Sequence, residues 1–339
     1  MKDAGLKIPA VLLLSVLLAY GTSFGAKHLE RTFRVDPGGT LSLHSDFGGV
    51  EVAGREGNTV RVVVDSDRDI EEILDLTFTR DGDNITVRGE KKRQDFFSFF
   101  WSRGKKVKFT VTVPRVYNVE IKTGGGGIGL HSLEGEVCGK TSGGGIDAGE
   151  ITGRLEVHTS GGSLDLSGIN GPVSASTSGG SIDLGDISGP VEARTSGGHV
   201  HAARITGNTV LRTSGGSIKV EELKGFLEAR TSGGGIVISA LRGNTVARTS
   251  GGSIKVSLDE PPAGDCELHT SAGSVTITLP RETNAYVSAR TSAGSVRTEF
   301  PIEVVGEIKK THIEGTLGSG GPKIDLSTSA GSIHLKAAD

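Results

Sequence analysis

At 339 residues the chain is long enough for two or three ordinary domains, but its composition is not that of a thick globular core. Glycine supplies 53 residues and aromatics only 4%, so bulky side chains are too few to fill a large interior. A hydrophobic fraction of 35% excludes a multi-span membrane protein, and a formal charge of -3 gives no bulk attraction to nucleic acid.

The chain opens with Lys2 and Lys7 ahead of an apolar stretch, Ile8 to Ala19. That stretch is shorter than the ~20 residues a spanning helix needs. Small residues follow it at Ala19, Gly21, Ser23 and Gly25, so residues 1–25 read as a cleaved export signal, with an uncleaved anchor as the alternative. The mature protein is accordingly expected to be exported: periplasmic, cell-surface or extracellular.

Residues 26–122 are the less regular part. Thr40 to Val52 alternates apolar with polar around Phe47-Gly48-Gly49-Val50, and Val60–Val64, Ile85–Val87 and Val107–Val113 read as further strands. These are expected to be longer, irregular early β coils that cap the stack rather than a separate domain. Within them lies an aromatic loop, residues 94–104, holding Phe96, Phe97, Phe99, Phe100 and Trp101. Lys91, Lys92 and Arg93 precede its rings; Arg103, Lys105 and Lys106 come after them. Two readings stand: a plug folded back over bare strand edges, or a loop that docks at a membrane surface or an envelope protein.

Residues 123–339 carry an internal repeat. TSGG begins at Thr141, Thr159, Thr177, Thr195, Thr213, Thr231 and Thr249, each 18 residues after the last, and a TGGG variant begins at Thr123. TSAG variants at Thr270, Thr291 and Thr328 come after 21, 21 and 37 residues, the last gap being read as two coils with a degenerate one around Thr311. Five residues after each Thr stands an aliphatic, from Ile128, Ile146 and Leu164 through to Ile333. Positions two and four before it are also mostly apolar, as in Leu155 with Val157. This is period-2 alternation on both sides of a glycine turn. A second corner falls near Gly171-Pro172, Gly189-Pro190 and Gly207-Asn208.

Glycine is expected at both corners because they ask for φ > 0. One unit cannot bury its own apolar face, whereas stacked units form continuous ladders. The expected fold is all-β: a single-stranded, right-handed parallel β-helix, or β-solenoid, with 18-residue coils.

The opening Phe33 to Val52, the strand VTVPRVYNVEIKTGGGGI (Val111 to Ile128), the TSGGSI units and the closing Ile313 to Lys336 together resemble the bacterial putative-adhesin family. These β-strand-repeat proteins are labelled a domain of unknown function and are related to autotransporter adhesin heads. The resemblance implies an exported envelope protein with an adhesive role, and it carries no catalytic residues over.

Other chemistry is weakly signalled. Gly124, Gly126 and Gly129 have dinucleotide-fingerprint spacing but sit inside a β-repeat. Asp147, Asp165 and Asp183 look like the acids of calcium-binding rolls, yet their place between inward aliphatics turns them to solvent. The Thr column is expected to face inward, its hydroxyls bonding from coil to coil. Most Ser residues occupy one corner of every coil, so they are scaffold rather than a catalytic singularity. No enzyme activity, cofactor or metal is expected. Cys138 and Cys266, about seven coils apart, are expected to stay free thiols.

One surface column stands out: the residue before each Thr. It runs from Lys122 and Lys140 to Arg194, Arg212, Arg230 and Arg248, and on to Arg290. Two residues earlier a Glu column runs beside it, but Arg212 and Arg248 have Val210 and Val246 in that place. Charge compensation on a solvated face is one reading. The other makes Arg194, Arg212, Arg230 and Arg248 a face for an anionic polysaccharide or lipid headgroup. The overall expectation is an adhesin-like binding or structural rod at the cell envelope. The alternative is a self-assembling scaffold stacking end to end, since the chain stops at Asp339, just after a repeat strand.

Overall fold

The computed structural model describes residues 27–92, 106–304 and 309–338. Apart from one helical turn, Ile70–Ile73, the described elements are strands joined into one open sheet system. Each repeat unit supplies two. One strand runs up to the Thr, as in Val173–Thr177, and the next starts five residues after it, as in Ile182–Ser188. Their side chains alternate buried and exposed, as extended backbone requires.

Pairing is parallel, and the register is uniform through the repeat as far as Ile238, beyond which it shifts so that Leu241 meets Leu258. Leu155 pairs with Val173, Val173 with Val191, Leu164 with Ile182 and Ile182 with Val200, so each residue meets the one 18 positions further on. Like residues therefore stack on like. A single unit buries Ile182, Leu184, Ile187 and Val191 to within 4% exposure. Each such side chain is worth roughly 1.5–3 kcal/mol, against about 0–1 for an exposed ion pair. The aliphatic ladders, not the charges, hold the stack together. Ile187 belongs to a further column, with Leu133, Ile151, Ile169, Ile205, Leu223 and Leu241, that lines the same interior.

The two corners need glycine for different reasons. At the second corner Gly171 has φ 148°, as expected of a position that disfavours side chains. In the TSGG turn the expectation of φ > 0 is corrected. Gly162 and Gly180 are not in the left-handed region, but a Cβ on Gly180 would lie 2.0 Å from the Gly162 carbonyl oxygen. Close stacking of backbone on backbone, not torsion, excludes a side chain there.

The Thr column faces inward, with Thr159 fully buried and Thr177 5% exposed. Its hydroxyls bond to the neighbouring coil's backbone rather than to one another. Thr177 Oγ1 donates to the Gly162 carbonyl at 2.8 Å and accepts from its own turn's Gly180 N–H at 3.3 Å. The same donation recurs from Thr123 through to Thr328.

Both ends break the pattern. At the N-terminal end Thr40–Ser45 and Gly49–Arg55 continue the two parallel sheets, Leu41 on Val119 and Val50 on Ile128. Asn84–Lys91 and Val107–Pro114 lie beyond them, also parallel. Antiparallel strands then finish each sheet: Leu74–Asp81 on one, Thr59–Ser66 and His28–Arg34 on the other.

At the C-terminal end the expected sequential order is corrected. Cys266–Ala272 is followed in space by Lys323–Ala330, and only then by Ala285–Ala293. His312–Leu317 packs antiparallel beyond that, paired in turn with Ile302–Val304. The last strands of the chain thus lie inside the stack. Every unit presents the same Thr–Gly interlock, so Thr328 fits on Gly273 and Thr291 fits on Gly331. The strand Ile333–Ala337 is accordingly paired on both sides, with Val275–Leu279 and with Val296–Thr298.

Candidate functional site

Because each Thr points inward, the residues on either side of it point out, and parallel register aligns them into two long columns. The first lies just before the Thr. In its middle Arg194, Arg212, Arg230 and Arg248 are direct register neighbours. Toward the N-terminal end it passes Ser176, His158, Lys140, Lys122, His44 and Arg88. Toward the other end it passes His269, Ser327, Arg290 and His312. Basic or imidazole side chains fill every position but two. Those two, Ser176 and Ser327, each bond the adjacent ring: His158 Nδ1 at 2.8 Å and His269 Nδ1 at 2.6 Å.

The second column is the residue after each Thr: Ser in the TSGG and TSAG units, but Gly124, Asp46 and Glu90 toward the N-terminal end. Between the columns the surface dips into three open hollows that run along the stack. The central hollow is about 660 Å³ and is lined by the four arginines and by Ser178, Ser196, Ser214, Ser232 and Ser250. One of about 520 Å³ lies on Lys122, Lys140 and His44, and one of about 600 Å³ on Arg290 and His312.

The arginines are not free of counterions. Arg194 pairs with Glu192 in its own strand. Arg212 reaches Glu228 at 2.5 Å, Arg230 meets the same carboxylate at 3.0 Å, and Arg248 reaches Glu267 at 2.6 Å. The expectation that Arg212 and Arg248 stand unpaired beside Val210 and Val246 is therefore corrected. A neighbouring strand lies only ~4.8 Å away, closer than the next same-face residue along a strand, so each guanidinium reaches across to the following coil. Glu228 is only 17% exposed. The Arg212 hydrogen bond, with further help from the Arg230 and Arg248 charges, holds its carboxyl below the usual range against the opposing effect of burial. Four arginines share three glutamates, which leaves a cationic surplus with donor positions still directed outward.

Sequence reading missed His44, Arg88 and His312 as members of this column. His44 carried a faint signal, since Ser45 after it is buried where Thr stands elsewhere. Arg88 precedes Gly89 in that place, and His312 arrives from an antiparallel strand, so neither shows the repeat motif.

The remaining candidates fall elsewhere. Phe96, Phe97, Phe99, Phe100 and Trp101 lie outside the described residues. Asp147, Asp165 and Asp183 form an exposed ladder on the strand after the turn. Burial, then the charges of Asp147 and Asp183, push the Asp165 carboxyl upward. His131 lies 3.2 Å from Asp147 and His201 3.6 Å from Asp183 at its two ends. Among the described residues no group of three His, Cys, Asp or Glu is arranged to hold a metal ion. Gly124, Gly126 and Gly129 lead into the strand Ile128–Glu134, not a helix. Cys138 and Cys266 are free, in strands Val137–Thr141 and Cys266–Ala272. Burial pushes the Cys266 thiol up to about 11.

A comparison with curated proteins returns no match. Among solved structures the chain is similar to a putative cell adhesion protein from Clostridium sporogenes, with 13% identity and a TM-score of 0.23, covering 92% of this chain and 100% of that one. It is also similar to a putative adhesin from Bacteroides fragilis, with 11% identity and a TM-score of 0.32, covering 92% and 97%. Residues 41–336 match the family described as Toastrack DUF4097, and the chain belongs to that family, a domain of unknown function.

Proposed function

We propose that the protein is exported and works without catalysis, as an adhesin-like binding or structural rod at the cell envelope. In this reading the rod is a right-handed parallel β-helix of 18-residue coils. The Lys2 and Lys7 start with its apolar stretch supports export, and the strong bias of parallel crossovers supports the hand. The observation that carries the binding role is the column through Arg194, Arg212, Arg230 and Arg248: basic groups held in register along one face. A rigid, repeated cationic face suits recognition of an extended anionic surface or chain. It suits catalysis poorly, since a reaction needs one constellation of unlike groups in one place. The aromatic segment Phe96 to Trp101, with basic residues on both sides, would add a membrane or partner contact.

The test is retention on an anionic-glycan column at low salt, eluted by raising ionic strength. Changing Arg194, Arg212, Arg230 and Arg248 together to Ser should shift elution to markedly lower salt. Retention unchanged in that variant would remove the binding role. Recovery of the protein from the cytoplasm in fractionated cells would remove the envelope.

A further inference from the structure

We propose that the groove holds one linear polyanion, an acidic polysaccharide lying parallel to the stack axis across all three hollows. This rests on the binding role proposed above and goes on to name the ligand and how it lies.

Continuity is the first observation. His158 lines both the central hollow and the one on its N-terminal side, and His269 lines both the central hollow and the one beyond it. The hollows therefore adjoin end to end at shared side chains. From Arg88 to His312 the column crosses 13 strand steps. At ~4.8 Å each that makes a track of about 60 Å.

Charge distribution is the second. The surplus cations do not gather at one spot, as a single small anion would want. Four arginines face three carboxylates in the centre. Arg88 and Arg290, near the two ends, make no ion pair with any described residue. A chain bearing an anionic group at intervals meets a cation along the whole track, whereas isolated anions meet mostly compensated pairs.

Chemistry of the walls is the third. One side offers guanidinium forks, which match carboxylate and sulfate. The other offers Ser hydroxyls, which both donate and accept toward sugar hydroxyls; in the N-terminal hollow Asp46 and Glu90 join that wall, opposite Lys122, Lys140 and Arg88. The large hydrophobics exposed among the described residues are Val116, Val237 and Tyr286, and none of them lines a hollow. A lipid surface would ask for apolar insertion beside the charges. A soluble acidic sugar chain does not.

Linked anionic units bind with an affinity that rises with the number of sites they span. The experiment is calorimetric titration with size-fractionated heparin oligosaccharides, used as a graded probe, at low salt. Kd should fall at least about tenfold between a fragment that covers part of the central hollow and one that reaches all three. It should level off once the fragment exceeds the track, with one chain bound per protein. Arg88 and Arg290 are exposed, so the double variant Arg88→Ser, Arg290→Ser should melt like the parent. It should weaken the long fragment several-fold and leave the short one unchanged.

Binding whose Kd does not depend on length would overturn the axial chain while leaving the binding role intact. So would capture by phosphatidylglycerol vesicles that the oligosaccharides fail to displace. No binding at any length would overturn both.

Discussion

The regular middle of the molecule and its two ends solve the same packing problem with different residues. Between Thr123 and Tyr286 no aromatic ring is buried; the interior is mostly Ile, Leu, Val and Ala, with inward Thr and Cys266. At the ends Phe109, Tyr117 and Phe300 are buried, and Phe33 and Phe78 pack with ring centroids 6.4 Å apart. In the middle every level must be as wide as those above and below, because like stacks on like. A ring at one level would need matching space in both neighbours. At the ends antiparallel strands release that constraint, and rings and side-chain bonds fill the changed shape. Tyr117 shows this: its hydroxyl donates to the Asp83 carbonyl, and burial, followed by the Asp83 charge, pushes its pKa up to about 12. Repetition gives a narrow, uniform core; termination needs individual solutions.

The largest effect is expected at the N-terminal end. Phe109 is fully buried, between strands that pair in opposite senses, and Phe109→Ala should cost about 3–5 kcal/mol in urea unfolding. In a stack stabilised by nearest-neighbour contacts the damage should stay local. Amide exchange should quicken in Thr40–Ser45 and Val107–Pro114 and hold steady near Ile182. Uniform quickening along the chain would erase the distinction between end and middle.

Next comes a paired test in the middle. Gly180→Ala places a Cβ 2.0 Å from the Gly162 carbonyl oxygen, backbone against backbone, and should cost about 3 kcal/mol. Gly179→Ala, one residue earlier in the same turn, meets its nearest atom at 3.5 Å and should change stability by about 0.5 kcal/mol or less. Urea midpoints that shift equally would show that stacking distance does not select glycine here.

The same division governs what could be read from sequence. The columns through Ile182 and Val191 were legible because a fixed period sums a weak signal over many coils. The column through Ile187 was passed over because it sits beyond the clean alternation, across an outward pair. The order of the C-terminal coils was not legible at all. Interchangeable units carry no address, and nothing in TSAG at Thr328 says that it precedes Thr291 in space. On the candidate face, Arg194 through Arg248 emerged from the period, but their partners did not. Reading along one strand paired Arg212 with Val210, whereas the chosen carboxylate, Glu228, lies one coil away. His44 and Arg88 escaped because the end coils keep the geometry and lose the motif.

A smaller effect is expected from the interlock itself. Thr177→Val keeps the shape but removes the donor to the Gly162 carbonyl and the acceptor for the Gly180 N–H, and should cost about 1–3 kcal/mol. Thr177→Ser should recover most of that. If Val proves harmless, the hydroxyl column is incidental to stacking.

The smallest effect belongs to an end and concerns pH. His44 pairs in register with Arg88 and Lys122, and its Nε2 lies 3.8 Å from Glu120. Burial first, then the Lys122 charge, holds its imidazole pKa below the ordinary value, with Glu120 opposing. The unfolded chain has no such penalty, so below about pH 6.5 it takes up a proton that the folded state resists. Stability is therefore full above that pH and is drawn down as pH falls toward the lower folded pKa. Melting at pH 7.5 and pH 5 should show a smaller acid loss in His44→Gln than in the parent. An equal loss in both would mean that Glu120 already compensates the buried proton, and that this end tolerates charge as readily as the open arginine face of the middle.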